Sequence, residues 1–314
     1  GEPKLNFILV GMDSVSRQNM KRYMVKTWSY LEKEFNFLEF RGYNKVADNT
    51  DPNMTPILME ATTEDFKEFK LKCYRKQRAF FDDCPFIWKE FSKNGYVTSF
   101  AEDNSFIGLY HYNKVGFIEE PTDFRNRPFF MASEKELTDE KKKRKNCVAL
   151  KPTADVIFNY GLQVLDSFNG KAPIFGFFYS ITHSHDSDTK QAILDEPLLK
   201  FFKSFKEKGH GNNTIVLLMG DHGLRFGDIR STYLGALEER LPLVSMIFPD
   251  WFPKKYPKTW NNLNVNTRRL VNNYDLHLTI KSVFSGTFEN PYNLQSTTGR
   301  GQTMFLEIPT NRTC

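Results

Sequence analysis

Four uninterrupted apolar runs constrain this chain more than any other feature: LNFILVGM at 5–12, PIFGFFYSI at 173–181, TIVLLM at 214–219 and LVSMIF at 243–248. A strand with one wet face alternates apolar and polar residues, whereas a continuous run reads as a strand covered on both faces. Amphipathic segments of helical length separate the runs. Residues 17–35, with Met20, Tyr23, Met24, Trp28, Leu31 and Phe35 spaced by three or four, read as one helix. Further helices are expected at 57–66 after Pro56, at 86–94 with Gly95 at the C-cap, and at 154–168, 194–208 and 275–284; shorter strands are expected at 37–43 and 96–101. The alternation predicts one α/β domain over residues 1–314, three layers α/β/α around a mostly parallel sheet, with residues 104–150 as a loop-rich insertion.

Several strand ends carry residues that bind metals or anions, and open α/β sheets build their sites at that edge. Asp13 follows the first run, His183 and His185 the second, and Asp221, His222 and Arg225 the third. Taken alone, Asp13 reads as a helix cap, a task Ser14 or Ser16 could share. DNTDPNMTP at 48–56 reads as a turn that offers a hydroxyl, Thr50. Together, Asp13, Thr50, Asp221 and His222 make a set suited to metal-assisted attack on a phosphorus or sulfur ester. A free threonine hydroxyl is a poor nucleophile and needs a base or cation to hold it as the alkoxide. The mixed oxygen and nitrogen donors suit zinc or manganese better than magnesium or calcium. His183 and His185 could meet a phosphoryl oxygen or protonate a leaving group. His111, His210 and His277 read as loop or core residues, and Glu102 and Asp103 as a supporting pair or a strand-end turn.

With 40% hydrophobic residues and 30 Phe among 314, the sequence folds rather than remaining disordered. Its net charge of +5 owes much to the local run Glu140–Lys145, a solvated face, and no nucleic-acid module accompanies it. No apolar stretch approaches the roughly 18 residues needed to span a bilayer. Without an initiator Met or a signal-like segment, the chain reads as a processed form or excised domain, with tails or an anchor lying outside it. Four cysteines (Cys73, Cys84, Cys147, Cys314) permit three pairings, and a Cys73–Cys84 bridge would close a short polar loop. Sequons at Asn53, Asn212 and Asn311, beside the closely spaced cysteines, point to a secretory or extracellular compartment.

GMDSVSR, DNTDPNMTP, CPFIWKEFSKNGYVTSFAED, SHD at 184–186, GDHGLRFG, LEERLPL and DLHLTI resemble, in this order, the alkaline phosphatase/sulfatase-like superfamily. They are most similar to the animal group called domain of unknown function 229. The resemblance implies one metal held by Asp13, Thr50, Asp221 and His222, with Thr50 as the nucleophile. It also implies a covalent phosphothreonine, released to water or to an acceptor alcohol. Sulfatases place a cysteine, matured to formylglycine, where this chain has Thr50, which disfavours sulfate-ester hydrolysis. Two-metal members carry an acid and a His where this chain has Thr182-His183-Ser184-His185, so one metal with His185 on the substrate is expected. Arg225, or else Arg230, would supply the fixed positive charge that sulfatases take from lysine. The substrate would be a phosphoester-bearing small molecule, lipid or glycan. Two alternatives stand beside this reading: a scaffold of little activity that binds a glycan or protein partner, motivated by the sequon beside Thr50, and a sulfate-ester hydrolase.

Overall fold

The computed structural model describes residues 4–61, 80–140, 146–289 and 294–313. Among them β1 (Asn6–Met12), β2 (Asn36–Glu39), β3 (Val97–Glu102) and β4 (Phe124–Arg125) join the later strands β7 (Ile174–Ser180), β8 (Thr214–Gly220) and β9 (Val244–Phe248) in one sheet. Its order is β2-β9-β8-β1-β7-β3-β4, while β5 (Cys147–Val148) and β6 (Lys151–Pro152) form a separate ribbon. β1 runs parallel to β7 and β8, and β3 parallel to β7 and β4; β9 opposes both its neighbours. The sheet is therefore mostly parallel, as the continuous apolar runs predict.

Each face of the sheet buries its own core. Phe7, Leu9, Phe175, Phe177, Leu217 and Met246 face the helices Thr50–Met59, Ile87–Lys93 and Asn273–Ser285. On the other side Ile8, Val10, Phe178, Val216 and Leu218 meet Val25–Glu34, Thr153–Phe168 and Asp195–Glu207. Each such side chain contributes about 1.5–3 kcal/mol on full burial. With β1 clamped between β7 and β8, the segments that follow these three strands crowd one edge of the sheet.

The structure corrects several boundaries. The single helix expected over 17–35 is two, Arg17–Tyr23 and Val25–Glu34, broken at Met24. The second helix starts there because the Asp195 carboxylate accepts hydrogen bonds from the Lys26 and Thr27 amides at 3.2 and 2.8 Å, capping its first turn from outside. Thr50 does not lie in a turn: a helix runs Thr50–Met59 and ends at Glu60, whose φ is +54°. Pro52 falls in its first turn, where no intrahelical amide bond is lost. The remainder of the helix expected at 57–66 reaches beyond the described residues. The 104–150 insertion is more regular than expected, since it adds β4 to the sheet edge and holds the helix Arg127–Glu140.

Asn53 is fully buried and uses its whole carboxamide: Oδ1 accepts from the Val46 and Ala47 amides, and Nδ2 donates to the Ala47 and Asn49 carbonyls. A glycan at this sequon is incompatible with the fold, whereas Asn212 and Asn311 are exposed. Cys84 is buried and Cys147 is a free thiol; Cys73, the other half of the expected Cys73–Cys84 bridge, lies outside the described residues, as does Cys314. No helix among the described residues is long and apolar enough to cross a membrane.

Candidate functional site

The site begins where β1 stops. The Asp13 amide still bonds to Ser180 of β7 at 2.9 Å, and the chain then turns sharply at Ser14, whose φ is +61°. Ser16 caps the next helix by accepting from the Asn19 amide, so Asp13 is not needed as a cap. The loop crosses the end of β8 so closely that a Cβ on Gly220 would lie 2.1 Å from the Val15 carbonyl oxygen. Only glycine fits there, and the approach brings the β1 loop against Asp221. The Ser14 amide donates to Asp221 Oδ1 at 3.0 Å, and Ser14 Oγ donates to Asp13 Oδ1 at 2.8 Å.

Asp13, Asp221 and His222 are buried, and one donor atom from each falls within a 4.8 Å group. His222 Nδ1 lies 2.8 Å from the Gly223 carbonyl oxygen. A carbonyl only accepts, so Nδ1 carries a proton, and Nε2 is the ring nitrogen that faces the carboxylates. Nε2 is 3.2 Å from Asp221 Oδ2, a buried oxygen that accepts no hydrogen bond. Thr50 Oγ1 completes the group, 3.3 Å from Asp13 Oδ2 and 3.4 Å from His222 Nε2. Thr50 is the first residue of its helix, where unpaired amides and the helix dipole favour an anion. Burial, and then the charge of Asp221, push the Asp13 carboxyl up to about 7; His222, Ser14 and Thr50 pull it back in part.

The donor set fits a divalent cation. Two buried carboxylates, one with an orphan oxygen, face an imidazole nitrogen and a hydroxyl. Three of their separations, 3.2, 3.3 and 3.4 Å, are close to the edges of about 3.3 Å in a tetrahedron with zinc–ligand distances of about 2.0–2.1 Å, while His222 Nε2 lies farther from Asp13, 3.9 Å from its Oδ1. An octahedron of oxygens around magnesium has edges of about 2.9 Å.

Of the other residues singled out in the sequence, Arg225 stands beside the group through a hydrogen bond to Asn49 Oδ1, next to Thr50, and its Nε is buried without a partner. Arg225 and His185 both lie against the exposed Phe226 ring, at 5.3 and 5.8 Å, and His185 Nδ1 pairs with Asp186 at 2.5 Å. His185 is thus on the rim. His183 is not: it is buried, and both its ring nitrogens lack hydrogen bonds. Burial holds its pKa below the usual imidazole value, against the pull of Asp103, so it is a neutral interior residue. Arg230 is turned to Glu239 at 3.7 Å, and His277 bonds to the Ile57 carbonyl within the core. Asp103 has a structural task, accepting from Ser180, Ile181, Thr182 and Thr153 to pin the segment after β7. Burial pushes Glu102 up to about 7, and it accepts from the Leu109 amide.

Sequence reasoning missed three residues here. Ser14 was read only as a cap, and Asn49 only as a turn residue. Lys114 had no signal at all: it comes from the insertion and pairs with Asp51, next to Thr50, at 2.6 Å.

Solved structures support this architecture. A protein of the alkaline phosphatase superfamily from Vibrio parahaemolyticus aligns with a TM-score of 0.59 and 14% identity, covering 90% of this chain and 67% of its own. The C-terminal periplasmic domain of EcEptC from Escherichia coli, in complex with Zn, gives 0.59 at 12% identity over 90% of this chain and 83% of its own. The lipoteichoic acid synthase LtaP from Listeria monocytogenes gives 0.57 at 14% identity over 97% and 75%. At these identities they establish the fold alone. No curated protein matches the sequence. The family model of the protein of unknown function DUF229 matches residues 2–314, and on that match, carried by an alkaline-phosphatase-like fold, the chain belongs to the DUF229 family.

Proposed function

We propose that the protein is a divalent-metal-dependent phosphoester hydrolase or phosphotransferase with Thr50 as its nucleophile. One observation carries the reading: the Thr50 hydroxyl, at a helix N-terminus, lies within 3.3–3.4 Å of a buried carboxylate oxygen and an imidazole nitrogen. The fold shared with a phosphoethanolamine transferase domain and a lipoteichoic acid synthase supports a phosphoester substrate on a small molecule, lipid or glycan. The Zn complex of one neighbour supports zinc, with manganese or calcium as alternatives.

Asp13 Oδ2, Asp221 Oδ2, His222 Nε2 and Thr50 Oγ1 would hold the ion. When bound, it lowers the pKa of the threonine hydroxyl and offsets charge on a phosphoryl oxygen. Thr50 Oγ1, its proton released to solvent, would attack phosphorus as the bond to the ester oxygen breaks, giving phosphothreonine and a protonated leaving alcohol. Water or an acceptor alcohol then attacks the same phosphorus and frees Thr50, which recovers its proton. The helix N-terminus faces the anion, and Arg225, fixed by Asn49, supplies a guanidinium for a non-bridging oxygen. His185 on the rim would give a proton to the leaving oxygen.

Burial of Asn53 removes the glycan that motivated an inactive scaffold, and the threonine at position 50 disfavours a sulfatase. Residence in the secretory lumen or outside the cell accords with the periplasmic domains among its structural neighbours. In the deciding experiment, Thr50→Ala lowers turnover of an aryl phosphodiester by ~10³-fold or more, with an unchanged circular dichroism spectrum. Turnover equal to that of the parent would remove Thr50 from the mechanism.

A further inference from the structure

Ser14 lies between the two carboxylates and is buried with φ +61°, a region that a residue with a Cβ enters only where its surroundings hold it. Three short hydrogen bonds hold it, beside a longer contact of 3.5 Å between its Oγ and His222 Nδ1. Its amide donates to Asp221 Oδ1 at 3.0 Å, its hydroxyl donates to Asp13 Oδ1 at 2.8 Å, and its carbonyl accepts from Gln191 Nε2 at 3.0 Å. Gln191 is itself buried, on the 3₁₀ turn Thr189–Leu194, and also reaches the Ser184 carbonyl at 3.4 Å. One residue thus engages one oxygen of each carboxylate. The other oxygens, Asp13 Oδ2 and Asp221 Oδ2, point to Thr50 Oγ1 and His222 Nε2.

We propose that Ser14 makes Asp13 and Asp221 single-oxygen donors and so matches the centre to a four-coordinate ion such as zinc, against the larger oxygen shell of calcium. The proposal rests on the reading of Asp13, Thr50, Asp221 and His222 as ligands, and it adds what decides between ions. Calcium takes 6–8 oxygens and commonly draws on both oxygens of a carboxylate. With the two Oδ1 atoms occupied by Ser14, the centre offers three oxygens and one nitrogen. Removing the hydroxyl frees Asp13 Oδ1 to swing toward the ion, loosening the small shell and opening the larger one. Ser14 is a positioning residue, since it acts through the two aspartates.

Ser14→Gly tests this without backbone strain, because glycine adopts the same φ freely while losing the hydroxyl with its methylene, and Ser14→Ala removes the hydroxyl alone. The full chain, stripped of metal by chelation, is titrated with zinc and separately with calcium by calorimetry, as the parent, as Ser14→Gly and as Ser14→Ala. Zinc affinity of the glycine variant should fall about 10–100-fold, the usual effect of losing a hydrogen bond to a metal ligand. Calcium affinity should hold or rise, so the zinc-to-calcium ratio falls by at least the same factor. A ratio within about twofold of the parent in both folded variants overturns the role of Ser14 and leaves the metal reading intact. A parent that takes up neither ion overturns both.

Discussion

Thr50 is ordinary in sequence and unusual in place. Its hydroxyl contacts Asp13 and His222 only because its backbone starts a helix at the sheet edge. The same crowding predicts a pH response. Unfolded, Asp13 titrates near the ordinary 3.8; folded and metal-free, it is pushed up to about 7. Between those values the folded state holds a proton that the unfolded state has released, so stability falls as pH rises from about 4 to 7. The melting temperature of chelated protein should drop across that window. Saturating zinc should raise it and flatten the dependence, because a bound cation favours the ionised carboxylates. A flat profile in the chelated protein would show that Asp13 does not carry that shift. The aspartates and His222 were legible in sequence because ligand-type residues directly follow apolar runs. Ser14 was not: its part depends on a left-handed φ and on Asp221, which is distant in sequence.

At the scale of elements, the buried strands were read to within a residue, since burial on both faces leaves an unbroken apolar signature, whereas the edge strand expected at 37–43 stops at Glu39. Helix starts fared worse. Met24 became a break because Asp195, from a distant helix, caps the second segment, and no local residue announces that. Thr50 looked like a turn because Asn49, Asp51, Pro52 and Asn53 all favour turns. The helix forms because Asn53 ties Val46, Ala47 and Asn49 to its own first turn, and Met54, Ile57 and Leu58 pack on the sheet. The contact between the β1 loop and the end of β8 carries its own prediction. Gly220→Ala puts a methyl group 2.1 Å from the Val15 carbonyl, and the strain should cost about 1–3 kcal/mol in chemical denaturation. Because Val15 follows Ser14, zinc affinity should fall with it. A Gly220→Ala protein as stable as the parent would mean that the loop can withdraw without loss.

For the whole molecule, the insertion is the main departure from expectation. Read as loops, it instead extends the sheet through β4 and returns Lys114 to Asp51, beside Thr50. Lys114→Met should lower kcat/KM on the aryl phosphodiester about tenfold while leaving zinc affinity unchanged, since no donor atom of the centre is touched. Equal loss of zinc affinity would assign Lys114 to the stability of the centre instead. By itself the sequence determined the layered α/β architecture and the identity of the chemical groups at the sheet edge, because burial patterns and side-chain chemistry are local properties of the chain. Only the tertiary structure decided which groups meet: it joined Ser14 to both aspartates, buried Asn53 and His183, and brought in Lys114. Those outcomes depend on distances between segments far apart in the chain, and only the packing of the sheet and its helices sets such distances.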